Sequence, residues 1–125
     1  MRKTGFGLLL LLLLTVTILH GAETKKIYRA TVDADGVQRV AILGGGYFFD
    51  PAHIIVKVNT PVELSVRKES GMVPYNIVIK AVSAGIDFDE TLDTEAKKIR
   101  FTPTKAGPLV FSCSMGMYTG TFNVI

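Results

Sequence analysis

From Ile54 to Arg67 the chain alternates apolar and polar residues with a period of two. Ile54, Val56 and Val58 alternate with Ile55 and Lys57, and beyond Asn59-Thr60-Pro61, Val62, Leu64 and Val66 alternate with Glu63, Ser65 and Arg67. Successive side chains point to opposite faces only in a strand, so both segments are committed to β-structure with one face in a core. Shorter pieces follow the same rule. Lys26–Val32 and Val37–Leu43 read as strands joined by Asp33-Ala34-Asp35-Gly36, a hairpin signal. Gly44-Gly45-Gly46 interrupts the chain before Tyr47-Phe48-Phe49. Asn76–Ile79 and Ile99–Phe101 are short apolar strands. Thr102–Gly107 is a turn, Leu109, Phe111 and Cys113 share a face, and Phe122–Ile125 closes the chain. No stretch carries a convincing helical period. The expectation is an all-β, Greek-key β-sandwich of about seven to eight strands.

The amino terminus is read as an address. Arg2 and Lys3 precede an apolar run of 14 residues from Phe6 to Leu19, and small residues follow. A membrane-spanning helix needs about 20 apolar residues, so the run reads as a secretory signal cut after Ala22. Residues 1–22 are then a signal peptide and 23–125 the domain, exported across an inner membrane to a periplasm; left uncut, the same run would be a membrane anchor, the chain's one contact with a membrane. Cleavage leaves 12 Lys+Arg against 11 Asp+Glu, a net charge of about +1. No basic patch with interleaved aromatics supports nucleic-acid binding. Ser83–Lys98 is rich in acids (Asp87, Asp89, Glu90, Asp93, Glu95), but their spacing does not match a calcium loop and it reads as a solvated loop.

Chemistry is confined by a short inventory. The chain has one Cys, which excludes an internal disulfide and a four-cysteine metal site. His53 is the one histidine beyond the signal; it is out of phase with Ile54 and Val56 and belongs on the outer face. Without a histidine base beside Cys113 or a resolving cysteine, an enzyme is not expected. What remains is Cys113-Ser114-Met115-Gly116-Met117, three sulfur side chains at every second residue, followed by Tyr118 and Gly120. A thiolate and two thioethers form a soft donor set suited to Cu(I), and to Ag(I), and poorly suited to Cu(II). The same residues also fit a metal-free reading in which the methionines fill apolar gaps and Cys113 is a small buried hydrophobe.

Three stretches carry a resemblance to a known family. They are Phe49-x-Pro51-x-x-Ile54-x-Val56-x-Val58 with Pro61-Val62-x-Leu64-x-Val66; Val73-Pro74-Tyr75-Asn76-Ile77-Val78-Ile79; and Phe101–Gly107 running into Phe111-Ser-Cys113-Ser-Met-Gly-Met117 and Gly120. Together they resemble the cupredoxins, particularly small periplasmic cupredoxin-like domains, over roughly residues 45–125. The resemblance implies a cupredoxin-like sandwich with a copper site between its last two strands. In that family a histidine comes from a Pro-His-Asn strand, and a cysteine, a second histidine and often a methionine from the loop. Here Tyr75 stands at the first histidine position, and no histidine follows Cys113. The resemblance therefore implies a copper carrier or chaperone using Cys113, Met115 and Met117, with Met72 and Tyr75 as possible additional site residues. Tyr75 reads first as an aromatic plug for the vacant histidine position and second as a ligand or hydrogen-bond donor. Copper would be the bound ion, with a copper-handling or respiratory protein as partner. Two further readings stand beside this one: an electron-transfer protein with an atypical centre, and a metal-free interaction domain.

Overall fold

The structure is a computed structural model and describes residues 26–71 and 73–125. The signal segment expected over 1–22, its cleavage point and Met72 lie outside the described residues. Among the described residues ten strands form two sheets. In chain order they are β1 (Tyr28–Arg29), β2 (Gln38–Gly45), β3 (Phe48–Asp50), β4 (His53–Val56), β5 (Val62–Lys68), β6 (Asn76–Ala81), β7 (Ile86–Thr91), β8 (Lys97–Phe101), β9 (Gly107–Ser112) and β10 (Thr119–Val124). One sheet has the order β1-β4-β10-β9-β6-β7 and the other β3-β2-β5-β8.

The alternation of Ile54–Arg67 is realised directly. Ile54 and Val56 of β4, and Val62, Leu64 and Val66 of β5, are all buried, and they sit in opposite sheets. With Val40, Ile42, Ile77, Ile79, Phe111 and Phe122 they make one core between the layers. A file of rings runs through it: Phe49 contacts Phe111 at 5.5 Å, Phe111 contacts Phe122 at 5.1 Å, and Phe122 contacts Phe101 at 5.6 Å between centroids. Such offset and edge contacts add to the area each ring removes from water. Gln38 is fully buried, donating to the carbonyls of Lys57 and Thr60 and accepting from the Lys57 amide at 2.8 Å.

Several expectations are corrected. The Asp33–Gly36 turn forms, with the Asp33 amide donating to Val37 at 2.9 Å, but it does not join two paired strands. Of the first segment only Tyr28–Arg29 is a strand, and it pairs in parallel with β4, whereas β2 lies in the other sheet. The segment offers little apolar area to bury: Ile27, Tyr28 and Val32 are exposed and only Ala30 is covered, so it serves as an edge. Gly44 and Gly45 continue β2, and the break comes at Gly46-Tyr47. Gly44 is required there by close approach, since a Cβ would meet Pro74 Cγ at 2.6 Å. The acidic stretch Ser83–Lys98 is no loop. It contains β7 and the start of β8, with Ile86 turned inward and Asp87 and Asp89 outward, an edge strand whose charged face meets water. Ten strands rather than seven or eight result from these short or charged edges.

Candidate metal centre

Three segments meet at one end of the sandwich: the β9–β10 turn carrying Cys113–Tyr118, the β2–β3 turn with Tyr47, and Val73–Tyr75 leading into β6. The register of β9 and β10 sets Ser112 opposite Thr119, which places Cys113 opposite Tyr118 at the mouth of the turn. The Cys113 amide donates to the Tyr118 carbonyl at 3.1 Å, and the Gly116 amide donates to the Cys113 carbonyl at 3.0 Å. Gly116 has φ of 76°, a left-handed conformation that a side chain disfavours, so the reversal falls there. From β6, Asn76 ties the turn down. Its Oδ1 accepts the Ser114 amide at 2.9 Å, and its Nδ2 donates to Asp89 Oδ1 at 2.8 Å.

Cys113 is 3% exposed, while Met115 and Met117 are 78% and 59% exposed. The thiol is thus the floor of the turn and the thioethers its outer surface. Burial pushes the Cys113 thiol up, but the turn amides of Tyr118, Met117, Met115 and Gly116 outweigh it, and the net pKa lies below the ordinary thiol value. Backbone N–H groups gathered around one atom favour an anion there.

Tyr75 is 59% exposed, which corrects the expectation that its ring plugs a vacant position; the ring lies on the surface at this end. Met72 lies outside the described residues. His53 is on β4 opposite Thr121, and it lines an apolar groove on the outer side of the sheet with Ile27, Ile55, Thr121 and Asn123. Cys113 is turned inward, whereas His53, paired with Thr121 near the start of β10, is on the outer face of that sheet. No cluster of three or more His, Cys, Asp or Glu able to hold a metal occurs among the described residues. The sulfur side chains described at this end are Cys113, Met115 and Met117.

Tyr118 and Tyr47 are additions to the expected site. Tyr118 is 2% exposed, its ring stacks on Tyr47 at 5.7 Å and 15°, and it meets Phe49 edge-on at 5.9 Å. Its hydroxyl has no hydrogen-bond partner among the described residues. The signal for Tyr118 was its distance from Cys113, a turn short enough to make the two cross-strand neighbours. Nothing in the sequence signalled Tyr47.

The chain matches no protein-family model and no curated protein. Solved structures do resemble it. The metal-binding domain of the Cu(I)-exporting P-type ATPase CopA of Streptococcus pneumoniae, determined with Cu(I), superposes with a TM-score of 0.71 at 28% identity, covering 82% of this chain and 99% of that one. A copper-binding protein determined by NMR in its apo form gives 0.70 at 22% identity, over 82% of this chain and all of that one (100%). Auracyanin A, a blue copper protein from the green thermophilic photosynthetic bacterium Chloroflexus aurantiacus, gives 0.53 at 17% identity, over 70% and 99%. The fold is cupredoxin-like.

Proposed function

We propose that this cupredoxin-like chain is a periplasmic Cu(I) carrier that takes its cargo on Cys113, Met115 and Met117. The observation that carries the reading is the pairing of an acidified, amide-surrounded thiol with two solvent-facing thioethers on one six-residue turn. A thiol that ionises easily loses its proton to a metal at modest cost, and thioethers add soft, neutral donors that leave the ion exchangeable. The similarity to a domain determined with Cu(I) supports copper as the cargo. The signal-like segment over 1–22 supports export.

The chemistry is ligand exchange rather than catalysis. Met115 and Met117 face water and would meet an incoming ion first, with Cys113 below them as the anchor. Release to a copper-handling protein reverses the order, one sulfur at a time. With His53 on the other side of the sheet, no imidazole among the described residues equips the turn for a blue-copper electron-transfer centre.

The test is titration of the reduced apo-protein with Cu(I) against a chromophoric chelator. Stoichiometric binding is expected, abolished in Cys113→Ala and weakened in Met115→Leu and Met117→Leu. No detectable binding by the native chain overturns the reading.

A further inference from the structure

The two thioethers and the thiol of this turn differ sharply in access, and that difference has its own chemistry. Met115 and Met117 are 78% and 59% exposed, against 3% for Cys113. Oxidation of sulfur depends on both nucleophilic character and exposure. The lowered pKa of Cys113 favours its oxidation, but burial denies an oxidant the approach, whereas the methionines sit in the open on either side of Gly116.

The geometry points to Met115 and Met117 as a reversible oxidation site that releases the cargo under peroxide or hypochlorous acid, a regulation that rests on the Cu(I) reading above. In the peroxide reaction a thioether lone pair attacks one peroxide oxygen and the O–O bond breaks. The leaving hydroxide takes up a proton as water. Sulfur is oxidised by two electrons to the sulfoxide and the peroxide is reduced. Methionine sulfoxide reductases reverse the step with a dithiol, which becomes a disulfide as the oxygen leaves as water. A sulfoxide turns a soft sulfur donor into a hard, polar group, so each modified residue is lost to Cu(I). Cys113 remains a thiol underneath, and the site is restored on reduction.

The experiment uses the full mature chain, reduced and metal-free. Cu(I) binding is measured by chelator competition before treatment, after limited hydrogen peroxide, and after incubation with the reductases. Trypsin separates the products, since Met115, Met117 and Cys113 lie in the fragment 106–125 and Met72 in 69–80. The expected result is one oxygen on each methionine of 106–125 with the thiol still titratable, affinity lowered roughly tenfold or more, and recovery on reduction. Met115→Leu/Met117→Leu should bind more weakly at the start and show no further loss with peroxide. Oxidation of Cys113 ahead of the methionines, or unchanged affinity in the doubly oxidised chain, overturns the inference alone. Failure to bind Cu(I) before any treatment overturns the carrier reading, and the release falls with it.

Discussion

Cys113 and Tyr118 stand opposite each other at the mouth of the β9–β10 turn, joined by the Cys113 amide and the Tyr118 carbonyl at 3.1 Å, with both side chains buried. Directly opposed residues of an antiparallel pair keep their Cβ atoms about 4.5–5.5 Å apart on one face. The thiol thus shares its surroundings with a ring held between Tyr47 and Phe49. The turn between them is short, which is why its amides crowd around the sulfur.

The Tyr118 hydroxyl is buried and without a partner among the described residues, a cost of about 1–3 kcal/mol for a desolvated polar group. Tyr118→Phe keeps both ring contacts and removes that cost. The expected outcome is a chain more stable by about 1 kcal/mol in urea unfolding, with an unchanged denaturant slope. Destabilisation by a similar amount would show that the hydroxyl is satisfied and refute the assignment.

The lowered Cys113 pKa sets a pH dependence. A group with a depressed folded-state pKa contributes stability above its unfolded pKa, about 8.5 for a thiol, and that contribution is lost as pH falls through the lower folded value. Cu(I) binding displaces the same proton, so affinity should rise roughly tenfold per pH unit below the folded pKa and level off above it. The check is thiolate absorbance against pH for the apo-protein, paired with chelator competition across the same range. A levelling point at or above the ordinary thiol value would contradict the amide cradle.

Asn76 is 4% exposed and holds two segments at once, accepting from Ser114 and donating to Asp89. Asn76→Ala strands a backbone donor and leaves a small void, with an expected loss of about 1–3 kcal/mol. Hydrogen exchange at the Ser114 amide should accelerate more than at the amide of Leu64, in the opposite sheet. Asn76→Asp retains an acceptor for Ser114 but sets a carboxylate against Asp89. Its stability deficit at neutral pH should shrink as the solution is acidified and one of the pair is protonated.

How much of this was legible follows from where burial acts on both faces or one. Ile54, Val56, Val62, Leu64 and Val66 announce their strands because alternation is what a half-buried strand requires, and each is inside. β7 was missed because an edge strand buries so little: Ile86 goes inward, while Asp87 and Asp89 read as loop residues in a linear sequence. β1 was misassigned because a turn signal fixes a local reversal but not the sheet to which each arm belongs. At the site, Cys113, Met115 and Met117 were visible by residue type, since few side chains offer soft donors. Their contrast in exposure, the amides around the thiol and the Tyr47–Tyr118 stack depend on how three distant segments meet, which no local pattern encodes.

β10 passes close beside the core because position 120 carries no side chain. At Gly120 a Cβ would fall onto the Phe111 ring, which is fully buried and fixed by Phe49 at 5.5 Å and Phe122 at 5.1 Å. A flexible neighbour could yield, but a ring locked on two sides cannot turn without disturbing both. Gly120→Ala is therefore expected to cost about 1–3 kcal/mol from overpacking, despite adding one methyl group and raising no question of positive φ. Phe111→Leu alone opens space and should also destabilise. In the double variant the added methyl occupies part of that space, so the combined loss should be smaller than the two single losses together, by about 0.5 kcal/mol or more, as coupled neighbours require. Urea unfolding of the four proteins closes the cycle. Strict additivity would mean that Gly120 and Phe111 do not press on each other, and the close approach of β10 to the core would need another cause.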